Sequence, residues 1–357
     1  MTQRPKPLSR KKKLLFSAII AAVSLLLLEL GARLVVPPRR AGVHGEHERV
    51  IEVLGLPAIN ATMVFDPDLF WVLKPNLREF RVAGAIRDTP IDFTITTNSR
   101  GLRGGPTESK GSAIRILALG DSCTFGVGVA NHETWPAQLQ TLLQEDGDRR
   151  RCEVINAGVP GYTAFQGLRY LEQHGWDLEP DLVVACFGYN DKETWASRSD
   201  AQTARRLAAG QWEAPLMHSR LYVGLRRMIH RGRTTSAARP EKGRPRLSAD
   251  EFHDALGEIK ARCDARGVPL IYVVWPVRGQ ILQRYAELGA YQPIVARTSR
   301  ESGAPLVNLV DAFLKAPGPL FLDHVHANAH GCRIAAEAIA ARVRPVLGRL
   351  APAEPGH

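Results

Sequence analysis

The chain has 357 residues, 45% hydrophobic and 23% charged, a globular composition that excludes disordered, collagen-like and coiled-coil chains. Its net charge of +11 is uneven, with +6 in residues 1–13, +8 in residues 192–250 and −3 over the rest. That distribution excludes the uniformly basic surface of a nucleic-acid binder, and five scattered cysteines make neither a CxxC pair nor a disulfide framework.

Residues 1–13 are a basic tail that ends in Arg10-Lys11-Lys12-Lys13. Leu14 to Leu28 then carries no charge, and the apolar character continues to Val36 if Glu29 and Arg33 are tolerated near the end. Such a helix, at about 1.5 Å per residue, crosses a hydrocarbon core of about 30 Å. Glu29 and Arg33, four apart, share a helical face in the favourable order for an ion pair, and Pro37-Pro38 stops the helix. The positive cluster before residues 14–36 predicts a cytoplasmic N-terminus, with everything beyond the single span outside the cytoplasm. A cleaved signal peptide is the competing reading. No convincing small-x-small site follows the run, and no lipobox cysteine exists, since the first cysteine is Cys123.

Residues 37–112 read as a stalk followed by a small β-rich segment. Phe65 to Asn76 places aromatic and branched residues between turn formers, and Ile91 to Thr96 alternates with period two. From Ile114 short apolar strands alternate with longer helical stretches. The expected strands are Ile114–Leu119, Glu153–Asn156, Leu182–Phe187, Leu270–Trp275 and Leu306–Leu309. The expected helices lie near Trp135–Gln144, Ala164–Gln173, Ala249–Arg266, Ile281–Arg300 and Ala329–Leu347. This pattern predicts an α/β domain over residues 113–350: a three-layer, doubly wound, flavodoxin-like parallel sheet of about five strands. Residues 192–248 interrupt the rhythm as a basic insertion, with a helix expected around Leu216–Ile229.

In such a sheet the active site forms beyond the carboxyl ends of the strands. Gly120-Asp121-Ser122 follows the first strand and holds a serine on a rigid support. Gly158-Val159-Pro160-Gly161 follows the second, where glycine lets backbone approach a ligand. Gly188-Tyr189-Asn190-Asp191 follows the third and offers an amide donor. Each block alone reads more readily as an ordinary turn. Near the C-terminus Asp323 and His326, three apart, can hydrogen-bond, so that the acid fixes the imidazole tautomer and the histidine deprotonates a serine. His324, His326, His330 and Asp323 also admit a zinc reading, but no second cluster of ligands appears elsewhere, and neither metal nor cofactor is expected.

These four blocks, in this order, resemble the SGNH hydrolase (GDSL esterase/lipase) family over roughly Ile114 to Leu347. The resemblance implies Ser122 as nucleophile, with Asp323 and His326 completing a triad. Asn-Ala-x-x-x-Gly-x-Thr at 156–163 assigns an oxyanion-hole N–H to Gly161, with Gly158 the second choice. Gly-x-Asn-Asp assigns Asn190 to the same hole, beside the N–H of Ser122. Thr97-Asn98-Ser99-Arg100-Gly101-Leu102-Arg103-Gly104 is similar to a segment that precedes the domain in membrane-anchored bacterial members.

The expected function is a membrane-anchored serine esterase that removes acyl groups, acetyl above all, from envelope or extracellular glycans. Two alternatives stand beside it: the same triad transferring acyl groups to polysaccharide, and a non-catalytic glycan-binding or scaffold protein. The expected partners are an acylated glycan or other ester and the membrane itself, with no nucleic acid; nothing identifies a protein partner. Within the basic insertion Arg198, Arg205 and Arg206 come first after the Asn190 strand and are the expected contacts for an anionic substrate. Arg226, Arg227, Arg231 and Arg233 are expected to face solvent or anionic headgroups.

Overall fold

The computed structural model describes residues 9–35, 57–86, 89–145, 151–194, 198–210, 219–231, 244–283 and 291–350. They fall into two units, one of residues 1–42 with 205–241 and one of residues 43–204 with 242–357.

The first unit contains helix α1 (Arg10–Val35), long and apolar enough to cross a membrane, with no residue of it buried. The expected Glu29–Arg33 pair forms, at 3.0 Å. Glu29 does something further that the sequence does not announce. Its carboxylate accepts the Ser219 hydroxyl at 2.7 Å and the backbone N–H groups of Arg220 and Leu221 at 3.0 Å each. It thereby satisfies the open N-terminus of a second helix, Arg220–Arg231, whose first N–H groups have no partner within their own helix. That helix begins later than expected, and the expected start at residues 216–218 lies outside the described residues, as does the stalk between residues 37 and 56.

The second unit opens with two antiparallel hairpins. Strands β1 (Met63–Asp66) and β2 (Phe70–Leu73) pair around a turn in which Asp66 Oδ1 accepts the N–H groups of Asp68 and Leu69. This local side-chain acceptor is the physical reason an Asp-Pro-Asp turn closes here. Strands β3 (Phe80–Ile86) and β4 (Thr89–Ile95) form the second hairpin. On β4 the alternation of Ile91, Phe93 and Ile95 with polar neighbours becomes an alternation of buried and exposed residues.

Five parallel strands follow: β5 (Ile114–Gly120), β6 (Cys152–Gly158), β7 (Leu182–Cys186), β8 (Leu270–Val274) and β9 (Leu306–Asn308). Their spatial order is β6-β5-β7-β8-β9, the flavodoxin-like order, in which the chain reverses direction across the sheet on either side of β5. All residues of β5, β7 and β8 are buried, as strands covered on both faces must be. Helices Trp135–Glu145 and Ala329–Leu350 bury Trp135, Leu139, Ala336 and Ile339 against Ile116, Ala118, Val184 and Val273 on one face. On the other face helix Ala249–Asp264 supplies Phe252, Leu256 and Ile259, all buried, and its Leu256 carbonyl accepts the Tyr272 hydroxyl at 2.8 Å.

Every expected strand is present, to within three residues at its ends. Over the expected Ile281–Arg300 helix the structure describes Arg278–Gln283 and Tyr291–Ser302 as helical, and residues 284–290 lie outside the described residues. Pro293 falls in the first turn of Tyr291–Ser302, where proline is well tolerated. The expected helix at Ala164–Gln173 runs to Tyr170 and then loosens into a wider turn over Leu171–Gly175. All five cysteines are buried, and none is in a disulfide.

Candidate active site

The registers Gly120↔Gly158 and Gly120↔Cys186 bring the carboxyl ends of β5, β6 and β7 level, so the loops that leave them share one crevice. Ser122 starts the one-turn helix Ser122–Phe125, capped by Asp121, whose Oδ1 accepts the Cys123 N–H at 2.8 Å. Two glycines permit this close packing. A Cβ on Gly120 would lie 2.0 Å from Thr124 Oγ1 and 2.8 Å from the Cys186 carbonyl, and one on Gly158 would lie 2.2 Å from the Phe125 nitrogen.

His326 Nε2 lies 2.8 Å from Ser122 Oγ, and His326 Nδ1 lies 2.7 Å from Asp323 Oδ2. All three side chains are buried. Asp323 is held rigidly, since its Oδ1 accepts the N–H groups of Val325 at 2.8 Å and His326 at 2.6 Å. Burial alone would raise its carboxyl; the hydrogen bond and charge of His326 together with those two N–H groups outweigh burial and hold it well below the usual carboxylate range. An ionised acid on Nδ1 fixes the tautomer that leaves Nε2 free to accept the serine proton. Of the other two histidines, His324 packs its ring against Tyr189 with centroids 5.2 Å apart, and His330 is exposed at the start of the C-terminal helix.

The two glycine candidates separate cleanly. The Gly158 N–H donates to Asn156 Oδ1 at 3.0 Å, whereas the Gly161 N–H donates to no protein acceptor among the described residues. Gly161 has φ +81, a conformation glycine adopts without strain. Asn190 is brought to the same crevice. Its Nδ2 lies 3.1 Å from Asp121 Oδ2 and 3.0 Å from the Tyr162 carbonyl, so both of its protons have acceptors within the protein.

Three polar groups around these loops escape a reading of the sequence. Arg246 and Asp200 form an ion pair at 2.8 Å with side chains only 1% and 4% exposed. The Arg246 guanidinium also donates to the Gly161 carbonyl and to Gln166 Oε1, and Asp200 accepts the Thr163 hydroxyl at 2.6 Å. Asp191 accepts the N–H groups of Ala164 at 2.7 Å and Gly188 at 2.9 Å, tying the second loop to the third. Burial pushes its carboxyl up to about 7 and that of Asp121 up to about 6. Finally, buried Arg103 donates to the carbonyls of Phe125, Gly126 and Val129 behind the nucleophile turn. Arg103 left a trace inside the 97–104 segment and Asp191 one beside Asn190 in the third block; pairs such as Asp200–Arg246 lie too far apart in sequence to be seen there.

Of the arginines expected to meet substrate, Arg198 is half-buried, while Arg205 and Arg206 are exposed on helix Asp200–Gly210. Among the described residues of that stretch, Arg246 donates to the crevice loops. One charge of the basic insertion, Arg246, is thus neutralised inside the fold by Asp200. Arg226, Arg227 and Arg231 lie on helix Arg220–Arg231, and Arg233 falls outside the described residues.

Residues 118–334 match the family model described as GDSL-like Lipase/Acylhydrolase family. The chain belongs to that family. Among curated relatives, it is similar to an acetylxylan esterase of Xylanibacter ruminicola, 24% identical over 245 residues that cover 66% of this chain and 44% of that protein. It is also similar to an arylesterase of Vibrio mimicus, 36% identical over 77 residues that cover 22% of this chain and 38% of that one. The chain thus spans less than half the length of either relative. Among solved structures, the acetyl xylan esterase AlAXEase is 19% identical with a TM-score of 0.43, covering 64% of this chain and 100% of that one.

Proposed function

We propose that this GDSL-family chain is a serine esterase that removes short acyl groups, acetyl above all, from glycans outside the cytoplasm, tethered by helix α1. The observation that carries the reading is the unbroken hydrogen-bonded chain from Ser122 through His326 to Asp323. His326 takes the Ser122 proton as Oγ attacks the ester carbonyl, and Asp323 stabilises the imidazolium. The N–H groups of Ser122 and Gly161 and the Asn190 amide receive the oxyanion, each donor contributing about 3–4 kcal/mol to the barrier reduction. His326 returns the proton to the leaving alcohol. Water then enters, gives a proton to His326 and cleaves the acyl-serine ester, freeing the acid and restoring Ser122. The acetylxylan esterase among the relatives supports acetyl esters on glycans, and on the same reading Arg198, Arg205 and Arg206 are offered to an anionic polymer.

The test is turnover by the full chain in detergent on p-nitrophenyl acetate, on longer acyl esters and on acetylated oligosaccharides, with added sugar acceptors to detect transfer. We expect hydrolysis of acetate esters, and a fall of at least about 10⁴-fold in kcat in Ser122→Ala and His326→Ala. Ser122→Ala with wild-type turnover would remove the triad from the mechanism. Acyl transfer that outruns hydrolysis would make the chain an acyltransferase.

A further inference from the structure

The proposed hole takes one backbone donor from Gly161, and the peptide that carries this donor is held from behind. The Trp71 indole Nε1–H donates to the Pro160 carbonyl at 2.9 Å. The described chain has no cis peptide bond, and in a trans peptide the C=O and the following N–H point in opposite directions. A carbonyl fixed toward Trp71 therefore aims the Gly161 N–H the other way, away from the hairpin. Trp71 is 2% exposed and its side chain has a single donor to place, so turning the peptide over would strand that donor. Turning it over would also point the carbonyl at the developing oxyanion.

A peptide beside a glycine at positive φ has little intrinsic resistance to such a turn, so the restraint has to come from outside. Trp71 is well fixed for the task. Its own carbonyl accepts the Tyr162 hydroxyl at 2.7 Å, and its ring lies edge-on to Tyr162 with centroids 6.0 Å apart. Its hairpin is fastened by Gln166 Nε2, which donates to the Leu69 carbonyl at 2.7 Å, and by Phe70 stacked on Phe165. The Arg246 guanidinium, 5.5 Å from the Trp71 ring, holds the next carbonyl, that of Gly161.

We propose that Trp71 is a positioning residue for the oxyanion hole, supplied by the β1–β2 hairpin from outside the family-matched residues 118–334. The proposal rests on the esterase reading of Ser122 and Gly161. Trp71→Phe keeps an aromatic ring and deletes the donor. In the full chain we expect kcat for p-nitrophenyl acetate to fall about 5–50-fold, short of the about 100–1000-fold that follows outright loss of a hole donor. KM should stay within about twofold, because the bond acts on the transition state and not on ground-state binding. An arylboronic acid, which adds Ser122 Oγ to boron and places an oxygen in the hole, should lose affinity by a factor similar to that in kcat. Phe70→Leu, which loosens the same hairpin but keeps the Trp71 donor, should lower Tm and cost less in kcat and boronate affinity than Trp71→Phe does. Should Trp71→Phe fail to fold, replacing the indole by its benzothiophene isostere deletes only the N–H, with the same expectations. Wild-type kcat and boronate affinity in the donor-deleted chain, or equal losses in Phe70→Leu, would overturn the proposal. A wild-type chain that neither hydrolyses acetate esters nor binds the boronate would overturn the esterase reading itself, and this proposal with it.

Discussion

Asn190 donates its side-chain amide to the carboxylate of Asp121, the residue immediately before the candidate nucleophile, at 3.1 Å. The proposed hole donor and the cap of the candidate nucleophile turn are therefore one hydrogen-bonded unit. To serve an oxyanion, the amide must share or give up a proton now held by Asp121 or by the Tyr162 carbonyl. Asn190→Ala should lower kcat by about 100–1000-fold. Asp121→Asn, which turns one of two acceptors into a donor, should lower it by about tenfold, because Asn190 keeps its chemistry and loses its alignment. Steady-state kinetics on a small acetate ester decide this, and equal losses in both variants would show that Asp121 has a larger part than alignment.

Stability should fall as pH rises from about 4 to 7. Burial raises Asp121 to about 6 and Asp191 to about 7, whereas in the unfolded chain both titrate near 4. In that window the folded chain retains protons that the unfolded chain has released, so the slope of stability with pH is negative. Asp323 acts in the opposite sense: its lowered carboxyl contributes stability that is lost only as pH drops below about 4. Chemical denaturation at pH 5, 6, 7 and 8 measures the slope, and Asp191→Asn should flatten it. A variant with the wild-type slope would exclude Asp191 as its source.

Arg246→Met and Asp200→Leu should each cost about 3–5 kcal/mol, because either one leaves a charge buried without its partner. The double variant should cost less than the two losses combined, a coupling read from a double-mutant cycle in urea. Arg246→Met should also lower kcat, since it frees the Gly161 carbonyl. Additive losses would mean that the pair acts as two independent contacts.

A reporter fused after Pro38 should be active only outside the cytoplasm if α1 is the span that its basic flank and apolar length suggest. A reporter active only inside would reverse the topology. The full-length chain at its unprocessed mass in the membrane fraction would distinguish an anchor from a cleaved leader.

The five sheet strands are legible because each is a continuous apolar run whose burial is decided locally, and Ser122, Gly161 and Asn190 stand out as candidates because each lies within a few residues of the end of such a run. Asp323 and His326 could be paired because they are three residues apart. Arg246 was not legible. In the sequence it is one of thirteen cations in a basic stretch, and only the fold sets it against Asp200 and Gly161. Trp71 was hidden for the same reason: its meaning depends on a hydrogen bond to Pro160, 89 residues away.

The five buried thiols, none of them in a disulfide, make the fold its own unfolding gauge. Burial raises the pKa of Cys123 and Cys186 well above that of a free thiol and that of Cys332 to about 12, so neither access nor ionisation favours attack on a maleimide or disulfide reagent while the sheet is closed. Cys123, Cys152 and Cys186 sit on or beside β5, β6 and β7, Cys263 and Cys332 in the helices that cover the two faces. The rate at which each thiol becomes reactive would report which layer opens first, residue by residue and without any introduced label.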